Sequence, residues 1–242
     1  MELLRAFLDV LFPPLCHLCK EPVPEAGPLH LCESCLGAMT PIDSPLCPVC
    51  GVPHGTEGGI DHLCGSCLLA RPPFDGARGA LLYEGPIREL IHRHKYGRKV
   101  HLRRPLALLA IGQLTPFVSS VAPDVMVPVP LHRSRLRERG FNQAVLMGAV
   151  LAREWRLPLL RDTLRRVRPT VAQVTLSASE RHSNVRGAFA VASPERIAGR
   201  RVLLLDDVST TGSTLAECAR VLKGAGAAAV FAATVALAPR DR

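Results

Sequence analysis

Aromatic side chains are scarce in this 242-residue chain, at 4%, with one tryptophan, Trp155, and two tyrosines. That disfavours a nucleic-acid reader built on rows of stacked rings. No long apolar run is present either. Residues 105–123 carry no charge, but Gly112, Gln113, Thr115, Pro116, Ser119 and Ser120 dilute them, and only Leu106 to Ile111 is uniformly apolar. A membrane-spanning helix needs about 20 predominantly apolar residues, so no span is expected, and the alanine-rich Gly224 to Ala238 is too short as well. The first fourteen residues contain Glu2 and Asp9 and have neither a basic leader nor a small-residue cleavage site. They do not match an export signal, and a cytoplasmic location is expected. Leu4, Leu8 and Leu11 with Phe7 and Phe12 recur at helical spacing before Pro13 and Pro14, which predicts a short amphipathic helix. The Gly-Lys-Ser/Thr of a Walker phosphate loop is missing too.

Hydrophobic residues at 48% and charged residues at 21% describe a chain that buries a core. Its length suits one large or two modest domains. The net charge of +9 suits anionic partners of many kinds and does not choose among nucleic acid, lipid and polyphosphate.

Eight of the nine cysteines fall in four C-x-x-C pairs: Cys16/Cys19, Cys32/Cys35, Cys47/Cys50 and Cys64/Cys67. Each C-x-x-C turn aims two sulfurs at one point, and two such turns complete a tetrahedron around Zn²⁺. The surrounding segment is rich in Pro and Gly and poor in large hydrophobes, so it needs staples to fold. A disulfide scaffold would require an oxidising compartment. Two structural zinc sites are therefore expected, closed to water because all four ligands of each are thiolates. Sequential pairing (16/19/32/35 and 47/50/64/67) closes short loops and is preferred, with an interleaved cross-brace as the alternative. Cys218 stands apart on a predicted helix and reads as a buried small hydrophobe.

Arg71 to Gly76 reads as a hinge, which divides the chain into residues 1–70 and 77–242. A strand from Ala77 to Tyr83 and a helix starting near Pro86 are predicted next. The stretch from Arg88 to Arg104 is the densest basic run. It reads either as a phosphate-tracking surface or as a solvated helix face with Leu90, Ile91 and Tyr96 turned to the core.

The most informative segment runs from Arg201 to Thr214. Four aliphatic residues, Val202 to Leu205, predict a strand buried on both faces, as in a parallel sheet. Asp206 and Asp207 follow at its carboxyl end, where open α/β sheets bind ligands. Next comes a loop with Ser209, Thr210, Thr211, Gly212, Ser213 and Thr214, then a predicted helix from Leu215 to Ala225. Such a loop offers free N–H groups and the positive end of a helix dipole to a phosphate. The carboxylates would repel that phosphate and suit the 2′- and 3′-hydroxyls of a ribose. A plain helix N-cap explains one acid, not two acids with five hydroxyls and a glycine.

Val202 to Thr214 resembles the thirteen-residue signature with which type I phosphoribosyltransferases bind phosphoribosyl pyrophosphate (PRPP). Ser209 departs from the aliphatic residue usual there. Together with the cysteine pairs, Val127 to Leu131, Arg139 to Gln143, and Arg181 with Asn184, the chain resembles the ComF family along nearly its whole length. That resemblance implies an α/β fold, a mostly parallel sheet flanked by helices, behind a small N-terminal double zinc-ribbon domain. It implies PRPP as ligand with Mg²⁺, and phosphoribosyl transfer or removal with an unnamed acceptor, linked to DNA uptake in competence. Single-stranded DNA or DNA-uptake proteins are the implied partners. The rival is a non-enzymatic zinc-ribbon adaptor whose ribbons and basic run bind DNA. By the same resemblance, the segment after the strand at Asp124 to Val129 is the pyrophosphate loop. It reads as a turn from Leu131 to Gly140 carrying His132, Arg133, Arg135, Arg137 and Arg139, before a helix starting at Phe141 to Ala144. Residues 165–189, with Gln173 and Arg181, would be a lid that closes over PRPP and excludes water.

Overall fold

The computed structural model describes residues 13–24, 27–55, 58–170 and 183–239. The expected helix over residues 1–12 and the lid positions Gln173 and Arg181 lie outside the described residues. Four parallel strands form the central sheet: β1 (Gly76–Leu82), β2 (Val125–Pro128), β5 (Arg201–Ser209) and β6 (Ala229–Leu237), in the order β1-β6-β5-β2. Short β3 (Leu164–Arg166) and β4 (Phe189–Val191) pair antiparallel beside it. The helices are α1 (Glu33–Gly37), α2 (Gly65–Leu69), α3 (Gly85–Tyr96), α4 (Arg103–Val121), α5 (Arg133–Arg139), α6 (Gln143–Glu154) and α7 (Ser213–Gly224). None of the described helices is long and apolar enough to cross a membrane.

The sheet follows from the aliphatic runs. Val202 to Leu205 are wholly buried, and β5 pairs with β2 on one side and β6 on the other, in register Val202 with Val125 and Val230. The pleat sends alternate side chains to opposite faces. Leu203 and Leu205 join Leu90, Leu106 and Met147 from α3, α4 and α6 on one face. Val202 and Leu204 join Leu215, Cys218 and Leu222 from α7 on the other. Cys218 is thus the buried small hydrophobe its spacing suggests.

The cysteine-rich segment packs on both faces of the sheet. Cys16, Leu31 and Met39 belong to the core of the first face, and Cys47, Cys50 and Cys67 to that of the second. Backbone contacts hold it in place: Leu82 N donates to Thr40 O at 2.9 Å and Ala77 N to Val49 O at 2.7 Å.

Two local expectations are corrected. Tyr96 does not turn to the core but is 61% exposed. The buried face of α3 runs through Ile87, Leu90, Ile91 and His94, a helical stripe that Tyr96 misses. Residues 131–140 are not a plain turn, because Arg133–Arg139 form α5. His132 caps it by accepting from Ser134 N at 3.3 Å, Arg135 and Glu138 pair one turn apart, and Gly140 ends it at φ +87°.

Candidate functional site

In each cysteine quartet the four sulfurs lie within 4.8 Å of one another, grouped as Cys16/Cys19/Cys32/Cys35 and Cys47/Cys50/Cys64/Cys67. The pairing is therefore sequential. Sulfur–sulfur separations of 3.5 Å (Cys19 to Cys32) and 3.6 Å (Cys50 to Cys64) are near the roughly 3.8 Å edge of a tetrahedron with metal–sulfur bonds of about 2.3 Å. Burial raises the thiols, yet backbone N–H groups turned onto Cys16 and Cys47 bring those two down to about 6. Burial and the neighbouring thiols push Cys35 up to about 12 and Cys67 higher still. Four crowded thiols ionise together only around a cation, so the donor set fits a closed metal site.

The second feature lies at the carboxyl end of β5. Asp206 and Asp207 are consecutive in the strand, so their side chains leave opposite faces, yet both reach a cavity of about 330 Å³ beyond the strand end. Arg139, Arg166, His132, Lys95 and Thr214 share its walls. Asp207 N donates to Asp206 Oδ1 at 2.9 Å and Val208 N to Asp207 Oδ1 at 2.8 Å, so each carboxylate is oriented by the backbone after it. Lys95 Nζ lies 2.7 Å from Asp207 Oδ2, with the two side chains 17% and 4% exposed. Burial, with Asp207 beside it, pushes the Asp206 carboxyl up to about 8.

A smaller recess of about 20 Å³ adjoins this cavity, lined by Asp206 and Val208 and by Ser209 to Leu215. Asp206, Val208 and Thr214 belong to both. Gly212 adopts φ +79° immediately before α7. That left-handed turn is open to glycine at little cost and places the loop amides at the start of a twelve-residue helix. Thr211 Oγ1 and Ser213 Oγ lie 2.8 Å apart, and Ser213 N donates to Thr211 Oγ1 at 3.4 Å. Ser209 is buried at the strand end.

All the expected residues of the signature are therefore brought together, and Arg139 joins them across the larger cavity. Arg139 donates to Gln143 Oε1 at 2.6 Å, which braces the guanidinium against α6. Arg166 bonds to Thr170 Oγ1 and stacks over Phe189. The sequence does not single out Lys95 or Arg166, and it offers Gln143 only as the last residue of the Arg139–Gln143 motif. Arg166 falls inside the 165–189 segment read as a lid, but no spacing rule distinguishes it from its neighbours.

The basic run of residues 88–104 is not one continuous surface. Arg93 is spent on Glu89 at 2.6 Å and on the carbonyls of His17 and Leu18 at 2.6 and 3.2 Å. His94 is buried, Lys95 faces Asp207, and Arg88, Arg98, Arg103 and Arg104 remain exposed.

Among known families, a double zinc ribbon domain matches residues 7–68, and a phosphoribosyl transferase domain matches residues 142–242. The chain is 37% identical over 225 residues to the DNA utilization protein YhgH of Escherichia coli K12, covering 90% of this chain and 94% of that protein. It is 38% identical over 148 residues to competence protein F of Haemophilus influenzae, covering 60% of this chain and 65% of that one. Among solved structures, a distant likeness is the glutamine phosphoribosylpyrophosphate (PRPP) amidotransferase from B. subtilis. Its TM-score is 0.38 at 20% identity, over 56% of this chain and 27% of that chain.

Proposed function

The chain belongs to the ComF family, which joins a double zinc ribbon to a phosphoribosyltransferase domain, and from that premise we propose that it binds PRPP and transfers or removes a phosphoribosyl group. One observation carries this reading. Twin acids and an amide- and hydroxyl-rich loop open onto adjoining cavities at the carboxyl end of one strand, with Asp206, Val208 and Thr214 common to both.

In this proposal the 5′-phosphate sits on the amides and hydroxyls of Ser209 to Thr214, at the positive end of α7. Asp206 and Asp207 receive the ribose hydroxyls. Arg139 and Arg166, across the larger cavity, face the pyrophosphate, where planar guanidinium groups suit paired phosphate oxygens. Departure of pyrophosphate leaves an oxocarbenium-like sugar carbon, and the cationic wall stabilises the charge carried away. A Mg²⁺ accompanying the pyrophosphate would be held mainly by ligand oxygens and would neutralise part of its charge. Gln173 and Arg181 are assigned to the covering segment by resemblance alone.

Zinc is proposed in both cysteine quartets, as closed structural sites that take no part in the chemistry. The names of the relatives concern DNA utilisation and competence, and we extend that setting, with single-stranded DNA or DNA-uptake proteins as partners, to this chain. Titration calorimetry with PRPP and Mg²⁺ tests the binding step. Saturable heat in the wild type, weakened at least about tenfold in Asp207→Asn, is expected for loss of a charge-assisted hydrogen bond from the carboxylate that Lys95 pairs. A wild type that releases no saturable heat refutes the sugar–phosphate site.

A further inference from the structure

Within the sugar–phosphate reading, on which this inference rests, we infer that Lys95 is a positioning residue. Its ammonium holds the Asp207 carboxylate in the orientation that receives the sugar hydroxyls. Nothing in the β5 signature itself supplies this group, because Lys95 comes from the last turn of α3 and enters the same cavity.

The geometry is specific. Asp207 is engaged at both oxygens, Oδ1 by a hydrogen bond from Val208 N at 2.8 Å and Oδ2 by an ion pair with Lys95 Nζ at 2.7 Å that falls outside hydrogen-bond geometry. Both side chains are nearly enclosed yet line the cavity that also holds Asp206, Arg139 and Arg166. Asp206 and Asp207 crowd each other at the end of a buried strand, and without a cation beside it the Asp207 side chain would be free to turn away from its neighbour. Lys95 lines the larger cavity and not the phosphate recess, and although burial disfavours its charge, Asp207 and then Asp206 beside it hold its proton.

Lys95 is itself rigidly placed. Ile87, Leu90 and Ile91 of α3 are fully buried against the sheet, and Arg93 ties the same turn to the carbonyls of His17 and Leu18. A buried ion pair is poor evidence for stability, since desolvation consumes most of its Coulomb energy. Its place in the wall of a ligand cavity is better explained by orientation of the acid.

A double-mutant cycle tests the assignment. PRPP, ribose 5-phosphate and pyrophosphate are titrated into wild type, Lys95→Met, Asp207→Asn and the double variant, with thermal melting to confirm folding. A positioning role predicts that Lys95→Met weakens PRPP and ribose 5-phosphate about tenfold or more while pyrophosphate is unchanged. The double variant should be no weaker than Asp207→Asn, because both changes remove one interaction. Lys95→Arg, which keeps the charge but not the point geometry, should fold and still lose sugar affinity selectively. Undiminished PRPP binding in Lys95→Met or, if that variant does not fold, in Lys95→Arg overturns the inference. So do losses that multiply in the double variant or fall equally on pyrophosphate. A wild type that binds none of the three ligands removes the sugar–phosphate reading itself, and this inference with it, whereas wild-type binding with silent Lys95 variants removes only the role of Lys95.

Discussion

Asp206 binds a proton more tightly in the folded chain than a solvated aspartate does, because burial and the neighbouring Asp207 carboxylate disfavour its charge. The sign of the consequence follows from linkage. Above the ordinary value of 3.8 the unfolded chain releases that proton, while the folded chain retains it until about 8. The stabilisation is complete below the lower value and is lost as pH rises through the higher one. Melting temperatures measured from pH 4 to 8 should therefore fall more steeply for wild type than for Asp206→Asn, and equal slopes would contradict the assignment. Gly212 makes a second residue-scale prediction. Its φ of +79° costs a side-chain-bearing residue about 1–2 kcal/mol, so Gly212→Ala should lower unfolding free energy by that order and weaken phosphate binding. Denaturant unfolding and calorimetry read the two effects.

The elements differ in how plainly the sequence declares them. β5 was legible because Val202 to Leu205 form an unbroken aliphatic run with acids on its exit, a pattern that only a strand buried on both faces requires. The loop and α7 follow from the hydroxyl cluster, Gly212 and the helical spacing after it. α5 was not legible. Its seven residues include a single apolar one, Leu136, so no hydrophobic period exists, and its hold comes from a His132 cap, an Arg135–Glu138 pair and Gly140. The Lys95–Asp207 pair was hidden for a different reason: its partners lie far apart in the chain, and local spacing carries no record of them. Tyr96 was misjudged because one apolar-looking residue after a buried stripe is easily assigned to it. At this scale Gly51 is also informative. A Cβ there would lie 2.4 Å from the Ala77 carbonyl oxygen, and its φ is +72°. Gly51→Ala should push the Cys47–Cys50 knuckle off β1 and lower the melting temperature, whereas an unchanged melt would show that the contact is slack.

Across the whole molecule, the two cysteine quartets grip opposite faces of one sheet. The first adjoins α3, which carries Lys95 to the ligand cavity. The second adjoins α7, with Cys50, Cys67 and Arg71 sharing a cavity of about 290 Å³ with Thr211, Gly212 and Ser213 of the phosphate loop. Metal loss should therefore reach the ligand site from both sides. Metal analysis is expected to find two zinc ions per chain, one for each quartet. After chelation, hydrogen exchange should rise in residues 87–95 and 211–216 as well as in the knuckles. Exchange confined to the knuckles would show that the ribbons are passengers on the sheet. The C-x-x-C spacing disclosed both quartets, but not their docking, which depends on tertiary packing such as the Arg93 and Arg78 contacts to knuckle carbonyls.

A crystal structure with PRPP and Mg²⁺ bound is the most direct test. The 5′-phosphate should lie against the amides of residues 210–214, the ribose hydroxyls within hydrogen-bond distance of Asp206 and Asp207, and the pyrophosphate toward Arg139 and Arg166. A ligand seated elsewhere, or one whose phosphate avoids the loop before α7, would contradict the account.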